Sequence, residues 1–177
     1  MSIRDELRDR INALIAEGRL FHLPAMSAGD ERKRAMFVSE EVNDDIQPPF
    51  SDHFDGIRHA EFRSTLDSFV LGHYLSVSEK PFQKPGTTML ARVHPVHDKI
   101  WDIRCTAPHP GIRCLGAFAG LDTFVALTWN YRENIDAGDW SVEIERCKAE
   151  WKKLFGEIKR FKGENINEYL SDNFRVF

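Results

Sequence analysis

The stretch IWDIRCTAPHPGIRCLGAFAGLDTFVALTW, residues 100–129, decides how this chain is read. Its apolar residues recur at every second position, the period of a strand, whereas those before it step by three and four. Three strands are predicted here, 99–105, 112–119 and 123–131, joined by Pro108-His109-Pro110-Gly111 and by Gly120. A fourth, 87–94, precedes them and ends at Pro95. Sequential strands with short connections pair antiparallel, so the expectation is a β-meander of about four strands.

If 106–111 is the hairpin loop, Arg104 stands opposite Arg113. Trp101, Ile103, Cys105, Ile112, Cys114 and Phe118 then share a core face, continued by Val125, Leu127 and Trp129 and by Met89, Ala91 and Val93. The other face carries Asp102, Leu115, Thr128 and Asn130, and gathers Arg92, Arg104, Arg113 and Arg132 with His94. Like charges directly opposite on a sheet cost a few tenths of a kcal/mol up to about 1 kcal/mol. Two readings stand side by side. The arginines line the solvated side of a one-faced sheet, paired with Asp102 and acidic helices. Or they hold an anion, for which the planar guanidinium fork suits phosphate.

Working outward, residues 140–155 read as a long amphipathic helix with Val142, Ile144, Cys147, Trp151, Leu154 and Phe155 as its apolar set. A short helix is expected near 164–171. Upstream, Ser51 and Asp52 open a helix whose apolar positions run from Phe54 and Ile57 through Phe62, Leu66, Phe69 and Val70 to Tyr74. Ser2 caps a first helix with Asp5 in a capping box, and Gly18 stops it. Residues 19–24 read as an extended segment, and 27–47 as a short charged helix and an acidic loop. Pro48-Pro49 is the clearest break. The predicted organisation is an N-terminal helical extension, 1–50, and an α+β domain, 51–177, in which the two parts either stand apart or share one continuous core.

Composition bounds the function classes. No apolar run approaches the roughly 20 residues that cross a bilayer, and the charged N-terminus does not resemble a secretory signal. A cytoplasmic location without membrane contact is the expectation. Cys105, Cys114 and Cys147 form no framework spacing and read as reduced thiols. A net charge of −4 argues against broad, non-specific nucleic-acid binding. The charge is uneven: residues 1–80 carry 10 Lys and Arg against 15 Asp and Glu, residues 81–177 carry 14 against 13, so a polyanion would meet the second half.

The order of elements, with Lys-Pro-Phe-Gln-Lys-Pro (80–85), Ile-Trp-Asp-Ile-Arg (100–104), Gly-Ile-Arg-Cys-Leu-Gly-Ala-Phe (111–118), Thr-Phe-Val-Ala-Leu-Thr-Trp (123–129) and Glu-Ile-Glu-Arg-Cys-Lys-Ala-Glu-Trp (143–151), resembles the RelE/HigB-type toxins of bacterial and phage toxin–antitoxin systems. The resemblance covers roughly residues 56–155. It implies a small antiparallel sheet packed on helices and, for many relatives, metal-independent endoribonuclease cleavage of messenger RNA, without a cofactor. RNA or the ribosome, and an antitoxin-like protein, are the partners it implies. Arg104 and Arg113 match the two strand arginines of the pattern, and Arg132 loosely the end of the last strand.

On that reading Arg104, Arg113 and Arg132 hold the phosphate, His94 does proton work, and Arg92, Asn130, His109 and Trp129 contact RNA. Two other classes compete. His94, His97, Cys105, His109 and Cys114 supply zinc-type ligands within 21 residues, against which both cysteines fall on the proposed core face. A non-catalytic interaction scaffold is the other, with the N-terminal segment laid across the basic face.

Overall fold

The computed structural model describes residues 1–83 and 85–177. Its centre is one eight-stranded mixed sheet: β1 (Leu20–His22), β2 (Ala35–Ser39), β3 (Leu75–Ser78), β4 (Leu90–Arg92), β5 (Trp101–Cys105), β6 (Ile112–Gly120), β7 (Thr123–Tyr131) and β8 (Phe174–Val176), in the order β1-β2-β7-β6-β5-β4-β3-β8. The four-stranded antiparallel meander of the RelE-like expectation is thereby overturned. Strands β4 to β7 do run antiparallel in sequence, but they are the middle of a larger sheet. Strand β2 pairs parallel with β7, and β3 pairs parallel with both β4 and β8. The β2–β7 and β3–β8 partners are distant in sequence, β3 and β4 are not, and in each case parallel pairing leaves no tight-turn signature beside the strand.

Residues 30–39 account for one of the four strands outside that meander. The run Asp30–Arg34 suggests a charged helix, but Ala35-Met36-Phe37-Val38-Ser39 is a strand with Met36 and Val38 buried. A short helix, α2 (Glu40–Asp45), follows it, capped by the Ser39 hydroxyl, which accepts from the Val42 amide. The first fifty residues therefore contribute two strands to the sheet as well as helices. One hydrophobic cluster runs from Leu7 to Leu170.

Three longer helices form where their caps and apolar spacing place them. Helix α1 (Ile3–Ala16) opens on the Ser2/Asp5 capping box and buries Leu7, Ile11 and Leu14. Helix α3 (His53–Val70) is capped by Asp52 and buries Phe62, Leu66, Phe69 and Val70, while Phe54, Ile57 and the later Tyr74 stay exposed. Helix α5 (Trp140–Phe155) follows the short α4 (Arg132–Ala137); of its expected apolar set only Val142 is exposed. A 3-10 turn, Ile166–Glu168, occupies the place of the expected last helix.

The sheet is covered on both sides, which corrects the one-faced reading. Rings of α3 meet one face: Phe62 lies 6.5 Å from Trp129, and Phe69 lies 6.4 Å from Phe118 and 6.0 Å from Phe124. Helix α5 lies on the other, where Glu143 accepts a hydrogen bond from the Asn130 amide. Every residue of β6 is buried, and such strands carry near-continuous apolar sequence rather than strict alternation.

Register then sorts the side chains. Arg104 does pair with Arg113, and Asp102 with Leu115. Beyond Leu115 the β6–β7 ladder shifts by one residue, so Phe118 pairs with Phe124 and Val125 with Ala117. A bulge flips the facing of everything past it, which is why Val125 leaves the face expected for it. Gly116 permits that shift: a Cβ there would stand 2.1 Å from the Val125 carbonyl oxygen. On the far side β4 also departs from the expected parity. Leu90 pairs with Ile103 and Arg92 with Trp101, while Ala91 pairs with Asp102. Arg92 thus belongs to the Trp101 face, its guanidinium 4.7 Å from the indole centroid, and does not join the other arginines. No helix among the described residues is long and apolar enough to cross a membrane.

Candidate functional site

Between the β5–β6 arginine face, α4 and α5 lies a cleft of about 780 Å³. Its floor is Arg104, Arg113 and Asp102, consecutive in register across the two strands. Asp102 lies 3.7 Å from the Arg113 guanidinium and 4.0 Å from that of Arg104. All three are withdrawn from solvent, with side-chain exposures of 1% for Asp102, 2% for Arg113 and 9% for Arg104. Arg104 also donates to the carbonyls of Pro85 and Thr88 at 3.2 and 3.3 Å. Burial pulls both guanidinium groups below their ordinary proton affinity, Asp102 opposes that shift, and Arg132 adds to it. An arginine so placed stays cationic, and its positive charge is costly to bury without anions nearby.

The wall opposite is helical. Trp140, Ile144 and Lys148 recur at four-residue steps along α5 and so present one stripe to the cleft, joined by Ser141 and Glu145. Arg132 and Asp136, one turn apart on α4, form an exposed pair at 3.0 Å beside them. The rim is made by Phe82, His94, Pro95, His97 and Asp98. Phe82 is 81% exposed and leans on His94 with ring centroids 5.0 Å apart.

Charge is unevenly spread along the cleft. The inner end holds three guanidinium groups, Arg104, Arg113 and Arg132, against two carboxylates, Asp102 and Asp136. At the other end Lys148 is bonded to Glu145 at 2.7 Å and lies 3.5 Å from Asp98. The arrangement suits a ligand with an anionic head at the arginines and a flat or apolar portion against Phe82, Trp140 and Ile144.

Of the expected site residues, Arg104, Arg113, Arg132 and His94 come together in this cleft. Four others are elsewhere. Arg92 lies under Trp101 as described. His109 is exposed in the β5–β6 connection. The Asn130 amide donates to Glu143 at 2.7 Å, and its carbonyl accepts from Asn134 at 3.0 Å. Trp129 points at α3, its ring edge-on to His59 at 4.9 Å and its indole N–H donated to Asp45. Next to it the Tyr131 hydroxyl donates to Asp55 at 2.8 Å, and burial with that carboxylate pushes its pKa up to about 12. Phe82, Trp140 and Lys148 carry no functional signal in the sequence. The 140, 144, 148 spacing is a helical period, but of these three only Ile144 belongs to the apolar set of the expected helix, and nothing in the sequence says what faces the stripe.

The zinc set is not assembled. Cys105 and Cys114 lie on the α3 face, their thiols pushed up by burial, while His94 and His97 are at the rim of the opposite cleft. Among the described residues no group of three or more His, Cys, Asp or Glu is placed to hold a metal ion. Nor, among the described residues, does the N-terminal segment cover the arginines: those lining the cleft fall between 81 and 148.

No protein-family model matches the chain, and no curated protein or solved structure matches it.

Proposed function

We propose that this protein binds RNA through a nucleoside phosphate seated in the cleft, with the phosphate on Arg104, Arg113 and Arg132. The observation that carries this reading is the surplus of guanidinium groups over carboxylates at the inner end of a cleft whose rim and wall offer aromatic rings. Charge-assisted, forked hydrogen bonds from arginine are the usual recognition of phosphate, and exposed rings are the usual platform for an unstacked base. A cytoplasmic location fits this reading, since three unbridged, buried thiols suit a reducing compartment.

A second reading, metal-independent cleavage, is favoured by one further observation: His94 and His97 line the same cleft as the arginines. An imidazole there would take the proton of a 2′-hydroxyl. The freed oxygen attacks the adjacent phosphorus, and the 5′-oxygen leaves with a proton from an acid, giving a 2′,3′-cyclic phosphate. The arginines stabilise the charge that builds on the phosphoryl oxygens.

Arg132 is the residue on which to test binding. Its side chain is 43% exposed, whereas replacing Arg104 or Arg113 would disturb the buried ion pair with Asp102. Calorimetric titration with UMP is expected to show Arg132→Ala weakened by about tenfold, the loss of a hydrogen bond to a charged group, with its unfolding midpoint near that of wild type. Equal affinity in the two proteins, or no UMP binding by wild type, would sink the reading. For cleavage, RNA is incubated with the protein in EDTA, with and without ribosomes. His94→Ala is expected to bind but not cut; cutting at the wild-type rate by that variant removes His94 from the chemistry.

A further inference from the structure

A second concavity, about 410 Å³, continues from the cleft around α5 and shares His97, Glu145 and Lys148 with it. Its other cations are Lys99, Lys152, Lys159 and Arg160; its other carboxylate is Glu157. Lys148 is held by Glu145 and Asp98, and Lys152 stands 3.8 Å from Glu157. That leaves Lys99, Lys159 and Arg160, which form no ion pair among the described residues. Two of them are anchored all the same. The Lys99 ammonium donates to the Arg160 carbonyl at 3.4 Å, and the Arg160 guanidinium donates to the Asp98 carbonyl at 2.7 Å. Carbonyl bonds fix these head groups without neutralising them.

The cations gather by conformation as well as by sequence. Lys99 has a left-handed backbone, φ 57°, after the 3-10 turn Val96–Asp98, which turns the chain toward the segment following α5. Gly156 ends α5 with φ 61° and leads into Lys159, Arg160 and Lys162. These three crowd Lys99: after burial, their repulsion is what lowers its proton affinity. Like charges brought together in a fold and left without carboxylates mark a place where an external anion is accommodated.

We infer that this groove is a second anion subsite that takes the backbone phosphates of a single-stranded RNA whose neighbouring nucleotide occupies the cleft, an inference that rests on the reading of the cleft given above. The face of α5 bearing Trp140, Ile144, Lys148 and Lys152 runs from one concavity into the other. Its twelve-residue span is about 18 Å, the scale of the smallest single-strand sites, about four nucleotides. Phosphates and bases alternate along such a chain. The aromatic rings at the cleft and the bare cations in the groove fit that alternation, whereas an acidic peptide has no use for the rings.

The test compares UMP with octauridylate on the full-length protein, wild type and the double variant Lys99→Asn, Lys159→Gln. Asparagine is chosen at 99 because it accepts the left-handed backbone. Wild type is expected to favour the octamer over UMP by more than about tenfold, as a second linked site does. In the variant that preference shrinks, and the salt dependence of octamer binding falls by about 1.4 in log–log slope, the share of two phosphate contacts on a single strand. The same preference and slope in both proteins overturn the groove and leave the cleft reading standing, provided UMP binds. Binding of neither ligand by wild type overturns both. Displacement of the octamer by octaglutamate at equal concentration overturns RNA as the occupant in favour of an acidic protein segment.

Discussion

Arg146, on α5, and the three arginines of the cleft beside that helix are built into the fold differently. On the β7 side, Arg146 spends its fork completely: one amino group bonds both oxygens of Glu41 at 2.7 Å, the other donates to the Trp129 carbonyl at 2.7 Å, and Nε reaches Glu143 at 3.2 Å. Glu41 also accepts the Trp129 amide, and Glu143 the Asn130 side chain, so α2, β7 and α5 are tied by one closed network. On the β5–β6 side, Arg104 and Arg113 approach Asp102 no closer than 3.7 Å, with Arg132 leaning on an exposed aspartate. Arg146 has its charge paired with carboxylates at hydrogen-bond distance; in the second group only the exposed Arg132 does, while the buried Arg104 and Arg113 stand farther from Asp102 and line a cleft. The comparison separates an arginine that holds the fold together from arginines left with capacity for a ligand.

The contrast can be broken most severely at Asp102. Asp102→Asn removes the carboxylate between two buried guanidinium groups and is expected to cost about 3–5 kcal/mol, read as a lowered urea midpoint. If the cleft is an anion site, saturating UMP restores part of that loss, because a ligand that binds only the folded state stabilises it. A loss that UMP leaves untouched would argue that the arginines serve Asp102 and nothing else.

Arg146→Met comes next, at about 2 kcal/mol for the charged hydrogen bonds it abolishes. Its UMP affinity is expected to match wild type, the reverse of Arg132→Ala, which keeps stability and loses affinity. Should both variants lose affinity alike, the two groups are not separate.

The smallest expected effect is in pH. Burial lowers the pKa of His59, on α3 against Trp129 and Tyr131, from its ordinary 6.5, with Asp45 and Asp55 opposing; His22 is lowered too, by burial and by Arg32. Each imidazole then binds its proton more weakly folded than unfolded. Their contribution to stability is complete above pH 6.5 and is lost as pH falls from there through the lowered folded values. Urea midpoints at pH 7.5 and pH 5 measure it, and His59→Gln is expected to flatten the decline without abolishing it. An unchanged decline in that variant would assign the whole effect to His22 and the carboxylates.

Much of this is legible in the sequence. Alternation and the Pro-His-Pro-Gly loop were enough to set Arg104 against Arg113, because a hairpin's register is decided by its own loop and pattern. The cap at Ser2 and the apolar stripe of α5 were equally local. Arg132 was placed with the strand arginines although it opens α4. The cleft itself is not legible, since its second wall belongs to a helix and its rim to the segments on either side of β4, whose side chains carry no periodic signal. His94 was picked out by residue type alone; Phe82 and Lys148 had no comparable flag.

By itself, the sequence determined what adjacent segments decide between themselves: helix ends, the middle strands and the pairing of β5 with β6. Tertiary structure decided which strands flank that hairpin, which side of it Arg92 and Val125 take, and where a hollow remains under α5. The physical reason is range. A strand's period, a cap or a turn is satisfied within about ten residues, but a parallel partner such as β2 beside β7, a bulge tolerated at Gly116, and helices on both faces of β6 are set by packing between distant parts.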